Sequence, residues 1–194
     1  MILTGESNDY VGKGMCGGEI IIKPPIERGF KPEENSIIGN TVMYGSTGGH
    51  LYANGRAGER FCVRNSGGTA VVEGCGDHGC EYMTNGLAII LGPTGKNFGA
   101  GMSGGAAYVY DAQGHFEKLY NPEMVEAVPL DDPEDEKLLQ SYIYKHIEKT
   151  DSEKANEIMA DWAAAKPKFV KVRPIPVAPP LEQDTHPKEA AAAK

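Results

Sequence analysis

The chain has 194 residues and is 40% hydrophobic, which is enough for one core of ordinary domain size without disulfide or metal staples. Its net charge of −8 at pH 7 argues against nucleic acid and against an anionic membrane surface as partners, and no apolar run is long enough to span a bilayer. No signal peptide is recognised, and the four cysteines lack paired zinc spacing, so the expectation is a reduced, cytoplasmic protein.

From Gly5 onward a short pattern repeats. A Gly-Gly-like pair precedes a β-type run five times, with the second glycine at Gly18, Gly49, Gly68, Gly86 and Gly105. Only Pro24 to Asn35 falls outside the register. A repeat this short cannot bury an apolar face alone, so successive copies must stack as coils of an all-β parallel solenoid. Two positions after the second glycine stand Ile20, Leu51, Ala70, Ala88 and Ala107, and two further on Ile22, Ala53, Val72, Ile90 and Val109. Strand side chains alternate faces, so these two apolar columns share one face and fill the interior.

Three further columns carry expectations. Asn8, Gly39, Gly58, Gly76 and Gly95 are the residue types that a corner with positive φ selects. Cys16, Thr47, Ser66, Thr84 and Ser103 form a ladder of small, mostly hydroxylic residues. Ile21, Tyr52, Val71, Ile89 and Tyr108 point outward as a contiguous apolar stripe, which another part of the molecule should cover.

After Asp111 the register stops. Leu138, Leu139, Tyr142, Ile143 and Ile147 predict an amphipathic helix over Glu134 to Lys149. A second helix is predicted from a Ser152 cap, with Ala155, Ile158, Met159 and Trp162 as its apolar stripe and Pro167 as its end. These helices are expected to dock on the outward stripe. The domain reading is therefore a solenoid over 1–130 of about five coils with an inserted loop at 24–35, a helical pair with an extended FVKV segment over 131–173, and a Pro-rich, poorly ordered tail over 174–194.

No chemical motif rises to a site. The pattern GxGxxG occurs at Gly12, Gly14 and Gly17, at Gly74, Gly76 and Gly79, and at Gly99, Gly101 and Gly104, but none opens a helix of a βαβ unit. Cys75, His78 and Cys80, with Cys62 one coil away, offer soft ligands for zinc, yet only one histidine is near and a structural site needs four converging ligands. Cys62 and Cys80 also share a column with Gly12, Met43 and Gly99, where small or apolar inward residues are wanted. Glu59, Asp77 and Glu73 read as corner or flank residues, and Ser66 and Ser103 lack the context of an activated nucleophile.

The runs NDYVGKGMCGGEIII, PEENSIIGNTVMYGSTGG, NGRAGERFCVRNSGGTAVVEGCGDHGCEYMTNG and LGPTGKNFGAGMSGGAAYVYD closely resemble the carboxy-terminal GXGXG domain of the glutamate synthase large subunit. The likeness continues through NPEMVEAVPL, the helices ending at Trp162 and FVKV, spanning about Gly5 to Pro174. The resemblance implies a right-handed, single-stranded parallel β-helix that joins the amidotransferase and FMN-containing parts of an enzyme making glutamate from glutamine and 2-oxoglutarate. It implies no catalytic, cofactor-binding or metal residue in this chain, since the nucleophilic cysteine, the FMN and the iron–sulfur cluster belong to other domains.

Family members carry coil sequence ahead of NDYVGKG. The chain therefore reads as a dissected fragment or as a stand-alone subunit of a split glutamate synthase, with a bare first-coil edge at Gly5 that invites self-association or a capping partner. The competing readings are an independent metal- or ligand-binding β-helix and a subunit of a complex like formylmethanofuran dehydrogenase, which uses a related scaffold.

Overall fold

The computed structural model describes residues 1–176, so the expected poorly ordered tail lies, from 177 on, outside the described residues. Strands β1 (Ile2–Thr4), β2 (Cys16–Lys23), β3 (Gly48–Ala53), β4 (Ser66–Val72), β5 (Asn85–Ile90) and β6 (Ala106–Tyr110) follow one per coil. Each pairs in parallel with the next, and the result is a β-solenoid. The ladder aligns Ile20 with Leu51, Ala70, Ala88 and Ala107, as the sequence columns require. Leu51, Ala70, Ala88 and Ala107 are fully buried in one core with Ile22, Ala53, Val72, Ile90 and Val109.

The first-coil edge is a correction. Residues 2–4 already pair with β2, setting Leu3 beside Ile22, and the Gly5 amide donates to the Lys23 carbonyl. The coil that starts at Gly5 is thus covered by the chain's own β1.

The corner glycines are a second correction. None of Gly39, Gly58, Gly76 and Gly95 has positive φ. They are small because the coils touch there: an added Cβ would stand 2.7 Å from the Asp9 amide nitrogen at Gly39, 2.9 Å from the Gly39 carbonyl carbon at Gly58, 3.0 Å from the Glu59 amide nitrogen at Gly76 and 2.6 Å from Asp77 Cα at Gly95. The next position then stitches coil to coil, since Asp9 Oδ1 accepts from the Asn40 amide, Asn40 Oδ1 from Glu59 and Asp77 Oδ1 from Lys96.

Positive φ lies a few residues later, in a turn that repeats in every coil. Tyr10, Thr41, Arg60, His78 and Asn97 adopt it, then Gly12, Met43, Cys62, Cys80 and Gly99, then Gly14, Gly45, Arg64, Tyr82 and Gly101. The alternation aims successive amides at opposite neighbours. The Arg60 and Arg64 amides donate to Asp77 and Glu81 of the next coil, whereas Cys62 donates to Val42 of the preceding one. Each non-glycine residue held there costs on the order of 1 kcal/mol, which the inter-coil hydrogen bonds offset.

Beyond β6 the chain forms β7 (Val125–Pro129), α1 (Pro133–Thr150), α2 (Glu153–Ala160), α3 (Trp162–Ala165) and β8 (Phe169–Pro174). Asp132 caps α1 by accepting from the Glu134 amide, and Ser152 caps α2 by accepting from Ala155. The expected second helix is two, because the backbone breaks at Asp161, whose side chain caps α3. FVKV opens β8, which pairs antiparallel with both β6 and β7 and so leaves β7 as the strand at that end of the sheet.

The outward stripe of Ile21, Tyr52, Val71, Ile89 and Tyr108 is buried, none of it more than 6% exposed. Leu139 and Ile143 of α1, Ala155 and Ile158 of α2, Ala165 of α3 and Phe169 form a second core with it. Fully burying each large apolar side chain contributes about 1.5–3 kcal/mol, so this core anchors the helices. Tyr108 also donates to Asp135 Oδ1 at 2.7 Å, and the same carboxylate takes Lys171 of β8.

The two glycine classes predict different damage. Gly14→Ala, with positive φ and no atom within 4 Å of its new Cβ, is expected to cost about 1 kcal/mol through backbone strain alone. Gly95→Ala drives a methyl into the preceding coil and is expected to cost about 3 kcal/mol. Urea unfolding of the two variants checks the ranking.

Candidate functional site

Two clusters of chemically capable groups stand out, one at the CGDHGC turn and one where the helices meet the solenoid. At the turn, Cys62, Cys75 and Cys80 are free, fully buried and part of the interior core. Burial pushes Cys62 and Cys80 well above the ordinary thiol value. It raises Cys75 from 9.0 to about 12, partly opposed by the Arg56 charge. A thiolate is the form that attacks or ligates, so these sulfurs act as small hydrophobes.

His78 faces the other way. Its Nδ1 lies 2.7 Å from Glu81 Oε1, and the same oxygen accepts from Asn97 Nδ2 at 2.9 Å. Asn121 Nδ2 in turn donates to Asn97 Oδ1. The imidazole therefore belongs to a polar string on the outer side of the turn, and the thiols lie inside. Among the described residues no group of three or more His, Cys, Asp and Glu is arranged to hold a metal ion.

The other candidate residues lie along the coils. The three GxGxxG matches lie in and around the coil turns and lead into strands. Ser66 accepts from the Thr84 hydroxyl at 3.2 Å, one rung of the expected ladder, and Asp77 stitches its corner. Glu59 is exposed at its own corner.

Glu73 departs from its reading as a flank residue. It is 1% exposed and accepts a hydrogen bond from the Ser152 hydroxyl, and His146 Nε2 lies 3.5 Å from the same carboxylate oxygen. One coil earlier, Asn54 Nδ2 donates to the Thr150 carbonyl at 2.9 Å. These residues occupy one outward column, Lys23, Asn54, Glu73, Leu91 and Tyr110, and the column meets the α1–α2 junction throughout. Lys23 pairs with Asp151, Leu91 joins the helix-facing core and Tyr110 lies under Lys154. A faint signal of this existed in the sequence, since polar Asn54 and Glu73 directly follow buried strand residues. Their partners lie far along the chain, which no local pattern reveals.

Ser, His and a carboxylate in contact suggest a hydrolase array, but the connections are wrong for one. The hydroxyl donates to the carboxylate and not to the imidazole, its oxygen caps α2, and all three side chains are sealed from solvent. The seam fastens the helices to the solenoid.

A family model described as the GXGXG motif matches residues 1–175. The chain belongs to the GXGXG family. The chain is 52% identical over 183 residues to ferredoxin-dependent glutamate synthase 2 of Synechocystis, a match covering 94% of this chain and 11% of the relative. It is 52% identical over 189 residues to the NADH glutamate synthase of Schizosaccharomyces pombe, covering 97% and 9%. It is 49% identical over 176 residues to the NADPH glutamate synthase large chain of Bacillus subtilis, covering 90% and 12%. The chain thus spans about a tenth of the length of these relatives. The GXGXG alternation has a direct physical reading here: Gly12 and Gly14, and Gly99 and Gly101, are the second and third positive-φ positions of the turn. In the middle coils other residues hold the same geometry. No helix of the described GXGXG domain is long and apolar enough to cross a membrane.

Removing the seam's shared donor is expected to be costly. Ser152→Ala loses a cap and a hydrogen bond to a buried carboxylate, about 2–4 kcal/mol together, against about 1 kcal/mol for the exposed Asp161→Ala cap. Denaturant unfolding distinguishes them.

The thiols give a second check. In the native chain a thiol-specific disulfide reagent at neutral pH should titrate Cys16 alone at speed, and all four cysteines after denaturation. As pH rises from 9 toward 12, the unfolded chain gives up the Cys75 proton and the folded chain keeps it. Stability therefore falls across that window, by on the order of 1.4 kcal/mol per pH unit for this group. Chemical unfolding across that pH range measures the slope.

Proposed function

We propose that this chain is the non-catalytic scaffold of a glutamate synthase, joining its amidotransferase and FMN-containing synthase parts and fixing their relative placement. The observation that carries this reading is that nearly the whole chain matches about a tenth of several glutamate synthases. The chemistry of the described residues supports it. The capable groups serve the fold: the buried thiols pack in the core, the buried Ser152, Glu73 and His146 fasten the helices, and His78 belongs to the string through Glu81 and Asn97.

A solenoid suits such a role for a mechanical reason. Its hydrogen-bond ladder runs from coil to coil, so the rod resists bending and holds whatever docks along it at a set spacing. In this reading the FMN, the iron–sulfur cluster and the nucleophilic cysteine are all held by other parts of the enzyme.

The test compares the purified chain with the complete enzyme. The chain alone is expected to be colourless and to form no glutamate from glutamine and 2-oxoglutarate with a reductant present. The assembly containing it should form glutamate, and should lose that activity when the solenoid is removed. Flavin or cluster absorbance in the purified chain, or turnover by it alone, would overturn the scaffold reading in favour of an independent ligand-binding protein.

A further inference from the structure

On the turn face two exposed side chains, Arg64 and Tyr82, stand on backbone that glycine holds in other coils, with the Tyr82 ring packed over Gly101 of the next coil. In the column Gly14, Gly45, Arg64, Tyr82 and Gly101 every residue has a φ between 53° and 67°. Glycine adopts that conformation freely, and three of the five coils use it. The two middle coils place Arg64 and Tyr82 there. Buried residues at the neighbouring positive-φ positions, Met43, Cys62 and Cys80, repay the strain by filling the core. Arg64 and Tyr82 do not, since Arg64 is exposed and Tyr82 is 53% exposed. Their only mutual contact is a guanidinium 5.9 Å from the ring. Strained backbone under an exposed side chain is an observation that points to function.

The surroundings give the surface its chemistry. Arg60, also at positive φ and exposed, reaches Glu81 only at 3.9 Å. Lys13 lies over the rings of Tyr10 and Tyr44 at 5.1 and 5.9 Å. Glu81 is 6% exposed and engaged by His78 and Asn97, so it offers little charge to an incoming surface. The exposed acids Asp9 and Glu59 lie at the adjoining corner, one residue before Tyr10 and Arg60. A chain of net charge −8 therefore presents exposed arginine and tyrosine, residue types that anchor protein interfaces, with Lys13 beside them.

We propose that this turn face is a docking surface, and that its partner is a carboxylate-bearing surface of the glutamate synthase outside this chain. The inference rests on the scaffold reading and adds to it the face that is used. Arg64 and Tyr82 anchor the contact, and Arg60 and Lys13 flank them.

Covalent footprinting tests it, with an arginine-specific dicarbonyl and a tyrosine-nitrating reagent, comparing the purified chain with the complete synthase. Arg60, Arg64 and Tyr82 are expected to lose most of their reactivity in the assembly. The double variant Arg64→Gly with Tyr82→Gly should melt no lower than the parent as a purified chain, because glycine relieves the strain. In the complete enzyme it should restore Arg60 reactivity, as expected when anchoring contacts weaken the dock by about tenfold or more. Protection of another face with Arg64 and Tyr82 still reactive would overturn this assignment and leave the scaffold reading standing. Absence of protection anywhere on the chain would overturn both.

Discussion

Neighbouring coils are joined strand to strand by backbone hydrogen bonds, which sets them about 4.8 Å apart, and the rest of the molecule answers to that spacing. At the flat corner it leaves no room for a Cβ, so Gly39, Gly58, Gly76 and Gly95 recur although their backbone conformation would suit any residue. At the turn it requires amides aimed alternately forward and back, which only alternating positive φ provides. In the interior it stacks like on like, so Ala70, Ala88 and Ala107 form one continuous column. A substitution that alters the spacing at one corner strains every one of these features together.

The same ladder creates the need for the helices. A parallel strand alternates its side chains, so a solenoid with an apolar inner face has an outer face that must be polar or covered. Here the outer face is apolar along Ile21, Tyr52, Val71, Ile89 and Tyr108, and α1 and α2 bury it. The polar seam beside it sets their position. Two hydrogen bonds, Ser152 to Glu73 and Asn54 to the Thr150 carbonyl, tie the α1–α2 junction to two successive coils, whereas apolar contact alone would allow sliding. The helices are thus an integral second layer of the solenoid.

Chemically capable residues in a repeat protein are easily mistaken for sites. Cys62, Cys75 and Cys80 come together because coils stack, and the interior accepts them as it accepts alanine. Ser152 meets Glu73 because a helix end needs a cap and a buried carboxylate needs a donor, and His146 packs beside them. What separates these from active sites is the direction of their hydrogen bonds and their isolation from solvent. The turn face is the opposite case. Its residues are exposed, charged and aromatic, and they occupy backbone positions that glycine would hold more cheaply.

Stacking was legible in the sequence because a solenoid writes its contacts at a constant offset. Ile20, Leu51, Ala70, Ala88 and Ala107 align by counting, and the uncovered stripe and the amphipathic helix follow from alternation and from the spacing of Leu139 and Ile143. The meaning of the glycines was not legible, because a residue chosen for positive φ and one chosen for close approach are both glycine. Only three-dimensional contact separates Gly14 from Gly95. Nor could the sequence pair the seam's members: Glu73 follows a buried apolar run, a faint hint of its burial, but it meets Ser152 across 79 positions. Local periodicity determined the coils and the faces; tertiary structure alone decided which polar groups meet and which strained residues remain exposed, because both depend on where distant segments of the chain come to rest.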